Sequence, residues 1–203
     1  MTARIARDET VWNGHIGLHR LTIEQTGTDG TPETLIREVA TSPASAVILL
    51  RRGADGPIIL TRQFRAPALF NEEPAMLIEC CAGNIDEPSS TAADAVLAAE
   101  RTAKREAEEE TGWRVDTVQH LFSLYMSPGV SNERVHFLLG TCTERTGAGG
   151  GLANEGETIE TLEVPLADAW LMAKDGRIRD AKTVLLLQHL LLEQAGIEGG
   201  GSR

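Results

Sequence analysis

The run Arg105-Glu106-Ala107-Glu108-Glu109-Glu110-Thr111-Gly112-Trp113 places carboxylates three and four residues apart and then stops at a glycine. On a helix, Glu106, Glu109 and Glu110 project from neighbouring positions on one side, where like charges repel unless something neutralises them. Hard oxygen ligands suit Mg²⁺, which takes one or two carboxylates together with substrate phosphates and keeps several waters. The chemistry open to this spacing is metal-assisted work on a phosphate-bearing substrate. An isolated charge run is more often a solvated helix face, so the surrounding elements decide between the two.

Those elements position the run well. From Ala92 to Thr111 there is no Gly or Pro, and seven alanines favour helix. Pro88-Ser89-Ser90-Thr91 is a turn-and-cap sequence, and Thr91 with Asp94 three residues on reads as a capping box with Asp in place of Glu or Gln. The pattern therefore predicts a helix over 92–111. Ahead of it, Glu79-Cys80-Cys81-Ala82-Gly83 reads as a strand end closed by glycine. Alternating segments in 10–26 and 33–41, separated by Thr26-Gly27-Thr28-Asp29-Gly30, read as a β-hairpin. Further strands are expected at Ala44–Leu50, Pro57–Thr61, Met76–Cys81, Thr117–Tyr125, Arg134–Thr141 and Thr158–Val164, and further helices at 166–175 and 180–195. The economical arrangement is α+β, a mixed sheet with helices on its faces. The organisation read from this is an N-terminal β subdomain over 1–43, a main domain over 44–195, and a glycine-rich disordered tail over 196–203.

Composition narrows the class. With 203 residues, 41% of them apolar, the chain can build one good core with a small appended subdomain. A net charge of −11 argues against a nucleic-acid backbone as partner. Cys80, Cys81 and Cys142 are odd in number and lack metal-ligand spacing, which fits a reduced cytoplasm. Met1–Thr10 has no apolar stretch of the signal-peptide kind, and the apolar run at Val184–Leu192 is too short to span a bilayer.

Arg-Glu-x-x-Glu-Glu-x-Gly followed by an apolar residue resembles the core of the Nudix box, with Arg105, Glu106, Glu109, Glu110, Gly112 and Trp113 in its positions. The box normally has a glutamate six residues after its first glycine and the arginine eight beyond that. Here Ser89 holds the first position, Glu87 is its nearest substitute, and Arg105 lies 22 residues after Gly83, so the stretch is longer by eight. The added residues are expected to lengthen the helix at its N-terminal end. Arg62-Gln63-Phe64-Arg65, Leu124–Gly129 followed by Glu133, Gly149–Ile159 and Asp180–Leu186 are similar to segments of the sugar-nucleotide pyrophosphatase branch of Nudix hydrolases. Enzymes acting on GDP-mannose come first in that resemblance and those acting on ADP-ribose second.

The resemblance implies the Nudix fold (α/β/α) and a homodimer whose N-terminal β subdomains are swapped. It implies Mg²⁺, or Mn²⁺, held by the carbonyl of Ala82 and by Glu106, Glu109, Glu110 and Glu157. A pair of ions about 3.5–4 Å apart would clamp the phosphates for attack by water. Arg105 would orient a box glutamate. Of Glu155 and Glu157, one would order the attacking water or take its proton and the other bind metal. Arg37, Arg62 and Arg65 would grip the diphosphate, Glu133 would line the substrate site, and His15, with Trp12 close by, would stack on the base. Glu79 reads as a structural partner for an arginine, and Trp113, Cys80 and Cys81 as packing. A catalytically silent nucleotide-binding module is the remaining alternative.

Overall fold

In a computed structural model the structure describes residues 2–151 and 158–197, and the chain divides into two compact units. The first comprises residues 1–44 with Ser123–Val135. Its centre is an antiparallel sheet of β1 (Ala3–Asn13), β2 (Gly17–Thr26) and β3 (Pro32–Thr41) in the order β1-β2-β3. The hairpin expected from sequence is thus β2 and β3 of a three-stranded meander. β1 escaped the reading because all eleven of its residues are exposed, so no face of it carries a burial pattern. Cross-strand pairs such as Arg4–Glu24 and Arg20–Glu38 decorate the sheet. The Ser123–Val135 segment joins this unit through main-chain bonds, Ala40 N–H to Val130 O (2.8 Å) and Asn132 N–H to Ala40 O (3.2 Å).

The second unit comprises Ser45–Phe122 and the chain from His136 onward. Its sheet runs β10 (Glu160–Val164), β5 (Ile58–Phe64), β4 (Ser45–Arg52), β9 (Arg134–Arg145), β8 (Trp113–Tyr125), with β6 (Met76–Glu79) on β5 and β7 (Cys81–Asn84) on β4. β4 and β5 pair only at Leu50↔Ile59 and Arg51↔Ile58. Beyond that they part, and β6 follows β5 (Thr61↔Glu79) while β7 follows β4 (Ile48↔Cys81). The sheet therefore forks, and the chain crosses the fork at Cys80. The single strand expected over Met76–Cys81 is two strands, each on its own branch.

Helix α2 (Ala92–Thr111) covers one face. Its buried residues Ala98, Ala99, Thr102, Ala103, Ala107, Glu110 and Thr111 recur at helical spacing, and their small size lets the helix sit close on Ala46, Ile48, Leu50, Ile59 and Leu138. Val47 and Leu49 alternate to the other face, where α4 (Ala181–Gln194) buries Leu186, Leu187 and Leu190 beside α3 (Leu166–Lys174). A short α1 (Ala66–Phe70) follows β5, with Pro in its first turn, where no helix is expected from sequence. No described helix is long and apolar enough to cross a membrane.

Candidate active site

The long helix places its acidic turn by being fixed at both ends. At the start, Thr91 Oγ1 accepts from Asp94 N–H and Asp94 Oδ2 accepts from Thr91 N–H, both at 3.1 Å, so the capping box expected from sequence forms and α2 begins at Ala92. At the end, Gly112 adopts φ 74°, the left-handed conformation that glycine takes at little cost. Glycines from the loop after β9 then satisfy the exposed carbonyls of the acidic turn: Gly150 N–H donates to Glu110 O (2.8 Å) and Gly151 N–H to Glu109 O (3.2 Å).

Within that turn Arg105 is a fork. Its Nη1 donates to Glu109 Oε2 at 2.7 Å and its Nη2 to Glu106 Oε1 at 2.6 Å. Burial works against the charge of Arg105, but the two carboxylates overcome it and raise its pKa above the ordinary arginine value. The i,i+4 helix pair with Glu109 therefore forms, and the same guanidinium also holds Glu106. Glu110 lies on the buried stripe, 3% exposed. Burial, followed by the charge of Glu110 beside it, pushes the Cys81 thiol well above its ordinary pKa.

Opposite the helix, β7 offers Ala82 and Gly83. A Cβ on Gly83 would lie 2.0 Å from Glu106 Oε1, so glycine here makes room for the Glu106 carboxylate against the β7 backbone. The carboxylates of Glu106, Glu109 and the buried Glu110, close to the β7 backbone, are hard-oxygen donors of the kind that Mg²⁺ or Mn²⁺ takes. The residues present fit a divalent ion. Among the described residues no three His, Cys, Asp or Glu side chains converge as a ready-made cage, in keeping with an Arg105 fork that holds two of the carboxylates.

Two arginines stand on and just after β5. Arg65, the N-cap position of α1, donates from Nε to both oxygens of Glu79 at 3.1 Å and from Nη2 to Oε2 at 2.7 Å. Glu79 is buried, which makes it the structural partner the sequence suggested. Burial opposes the charge of Arg65, and the Glu79 hydrogen bonds with the fields of Glu79, Glu110 and Asp180 outweigh it and raise its pKa. Arg62 pairs with Glu160 across β5 and β10, Nε to Oε2 at 2.9 Å, a partner not legible in the sequence because 98 residues separate the two. Glu87 pairs with Arg101, one turn before Arg105 on α2, so it is engaged away from the acidic turn. His15, Arg37 and Glu133 belong to the first unit. Arg37 is exposed and its Nη1 donates to Ile36 O at 2.8 Å. Glu155 and Glu157 lie outside the described residues.

The NUDIX domain model matches residues 41–187, from the end of β3 to the middle of α4. The chain belongs to the NUDIX family. It is 43% identical over 178 residues to a GDP-mannose pyrophosphatase of Pectobacterium atrosepticum, with 86% of each chain covered. It is 39% identical over 184 residues to one of Yersinia enterocolitica, covering 90% of this chain and 92% of the relative. A crystal structure described as an ADP compounds hydrolase superposes with a TM-score of 0.70 over 97% of both chains. At 18% identity that likeness is one of Nudix fold. Nudix hydrolases generally use a divalent metal.

Proposed function

We propose that this chain hydrolyses the diphosphate linkage of a nucleoside diphosphate sugar, GDP-mannose first, to a nucleoside monophosphate and a sugar 1-phosphate. The observation that carries the reading is the Arg105 fork on Glu106 and Glu109 beside the Gly83 cradle, in a chain similar over most of its length to GDP-mannose pyrophosphatases. Water adds to one phosphorus, one P–O bond of the bridge breaks, and the bridging oxygen leaves on the other phosphate.

Ala82, Glu106, Glu109, Glu110 and Glu157 would hold Mg²⁺, or Mn²⁺ in its place. The bound ion supplies charge neutralisation at the phosphates and a more acidic water. Arg105 keeps Glu106 and Glu109 apart and oriented. Arg62 and Arg65 each engage a carboxylate through Nε and Nη2, leaving Nη1 donors for phosphate oxygens, and Arg37 adds a third cation. Glu133 lines the substrate site. Glu155 and Glu157 divide the remaining tasks, one orienting the water or taking its proton and the other joining the metal ligands. His15 stacks on the base. The enzyme works as a homodimer with exchanged N-terminal β subdomains, in the cytoplasm, where its three thiols stay reduced.

A substrate panel tests this: GDP-mannose, ADP-ribose and other nucleoside diphosphate sugars with Mg²⁺, phosphatase-coupled and read by released phosphate. Highest kcat/KM on GDP-mannose is expected. Preference for ADP-ribose would reassign the base, and tight binding without turnover would make the chain a nucleotide-binding module.

A further inference from the structure

The fork in the sheet leaves one main-chain group without a strand. Glu79 ends β6 against β5 and Cys81 begins β7 against β4, so the N–H of Cys80, fully buried at the crossing, has no ladder to join. Its acceptor comes from 103 residues away: Thr183 Oγ1, at 2.7 Å. That hydroxyl in turn donates to Asp180 Oδ2 at 2.7 Å, and the same oxygen caps α4 by accepting from Thr183 N–H at 2.9 Å. The other oxygen of Asp180 accepts from Lys182 Nζ. Both Asp180 and Thr183 are buried. Burial of Asp180 works against its charge, but Lys182 and the Thr183 bonds overcome it and hold its carboxyl below the usual range.

What flanks Cys80 gives this relay its meaning. On one side is Glu79, whose carboxylate fixes Arg65 and whose carbonyl accepts from Thr61 Oγ1. On the other side, two and three residues on, are Ala82 and the Gly83 cradle for Glu106. Displacing Cys80 would move a phosphate-binding arginine and the metal-binding edge together.

We infer that Thr183 and Asp180 are positioning residues for the hydrolytic site, holding the strand crossing at Cys80 so that the Ala82 carbonyl and Arg65 keep their places. The inference rests on the proposed metal-dependent reaction. The hydroxyl is the required element, because a side chain at 183 must accept from Cys80 and donate to Asp180 at once, which serine can do and valine cannot.

The test is Mn²⁺ binding to the free protein by electron paramagnetic resonance, alongside kcat and KM on GDP-mannose, for Thr183→Val, Thr183→Ser and Asp180→Asn. Loss of an outer-shell partner weakens metal affinity by roughly 10–100-fold. Thr183→Val should show a loss of that order, with a lower kcat, and Thr183→Ser should recover most of it. Thr91→Ala, destabilised at the far end of α2, serves as the control with native Mn²⁺ affinity. A folded Thr183→Val with native Mn²⁺ affinity and kcat would overturn the inference, whatever its melting temperature. Should Thr183→Val fail to fold, Asp180→Asn, which keeps the shape of the side chain but weakens the acceptor, decides on the same measurement: reduced affinity supports the inference and native affinity overturns it. If the unmodified protein neither binds Mn²⁺ nor cleaves any member of the panel, the proposed function fails first, which is a different result.

Discussion

At the scale of residues, the site is a set of carboxylates held apart by one guanidinium. Neutralising Glu109 while keeping its volume removes one anchor of the Arg105 fork and one donor of the proposed metal site, so Glu109→Gln should lower turnover by about 10²–10³, the order seen for loss of one electrostatic stabiliser, with an unchanged circular dichroism spectrum. Near-native rates at saturating Mg²⁺ would remove the metal assignment. Gly83 gives a prediction of a different kind. The added carbon of Gly83→Ala would fall 2.0 Å from Glu106 Oε1, so the carboxylate must swing away from β7 at that point. Mn²⁺ titration should then show weakened affinity although no ligand has been deleted, and unchanged affinity would show that Glu106 can bind from elsewhere. The glutamates and Arg105 were legible in the sequence because their spacing is local. The roles of Glu79, Gly83 and Thr183 were not, because each acts on a residue brought close only by the sheet.

At the scale of elements, α2 was the most legible piece. Alanines, a cap and a terminal glycine all specify helix over the same residues, and local signals that agree leave little for tertiary structure to overrule. Thr91→Ala should cost about 1 kcal/mol of stability through loss of the N-cap while turnover stays native. Chemical denaturation and steady-state kinetics read the two separately, and a large fall in turnover without loss of stability would place residues 89–98 at the substrate. The strands were harder to read for opposite reasons. β1 has no buried face, and β6 and β7 form one apolar run whose division is imposed by the separate branches of β4 and β5. Nothing in Met76–Gly83 itself states that its two halves pair with different neighbours.

At the scale of the whole molecule, the proposed dimer and the buried thiols each make a prediction. If Arg37 serves the site of the partner chain, mixing Arg37→Ala and Glu109→Gln proteins under exchange should restore part of the activity, since one of the two sites in the heterodimer is intact. No recovery after verified exchange would dismiss the shared site. Cys80, Cys81 and Cys142 are all buried, and burial pushes the Cys142 thiol up to about 11. Because the thiolate is the reactive form, a disulfide reagent at pH 8 should label none of the three in the native protein and all three in denaturant. Rapid native labelling would mean that the sheet opens. The bond from Cys80 to Thr183 also bears on when the protein becomes an enzyme. Contacts this distant in the chain are late and slow to form, and this one ties the strand crossing to the last described helix. A ribosome that has released everything as far as α3 has made all the glutamates of the acidic turn but not the group that seats the crossing beside them. Competence for hydrolysis should therefore arrive in one step, with the docking of α4, and not accumulate as the chain grows.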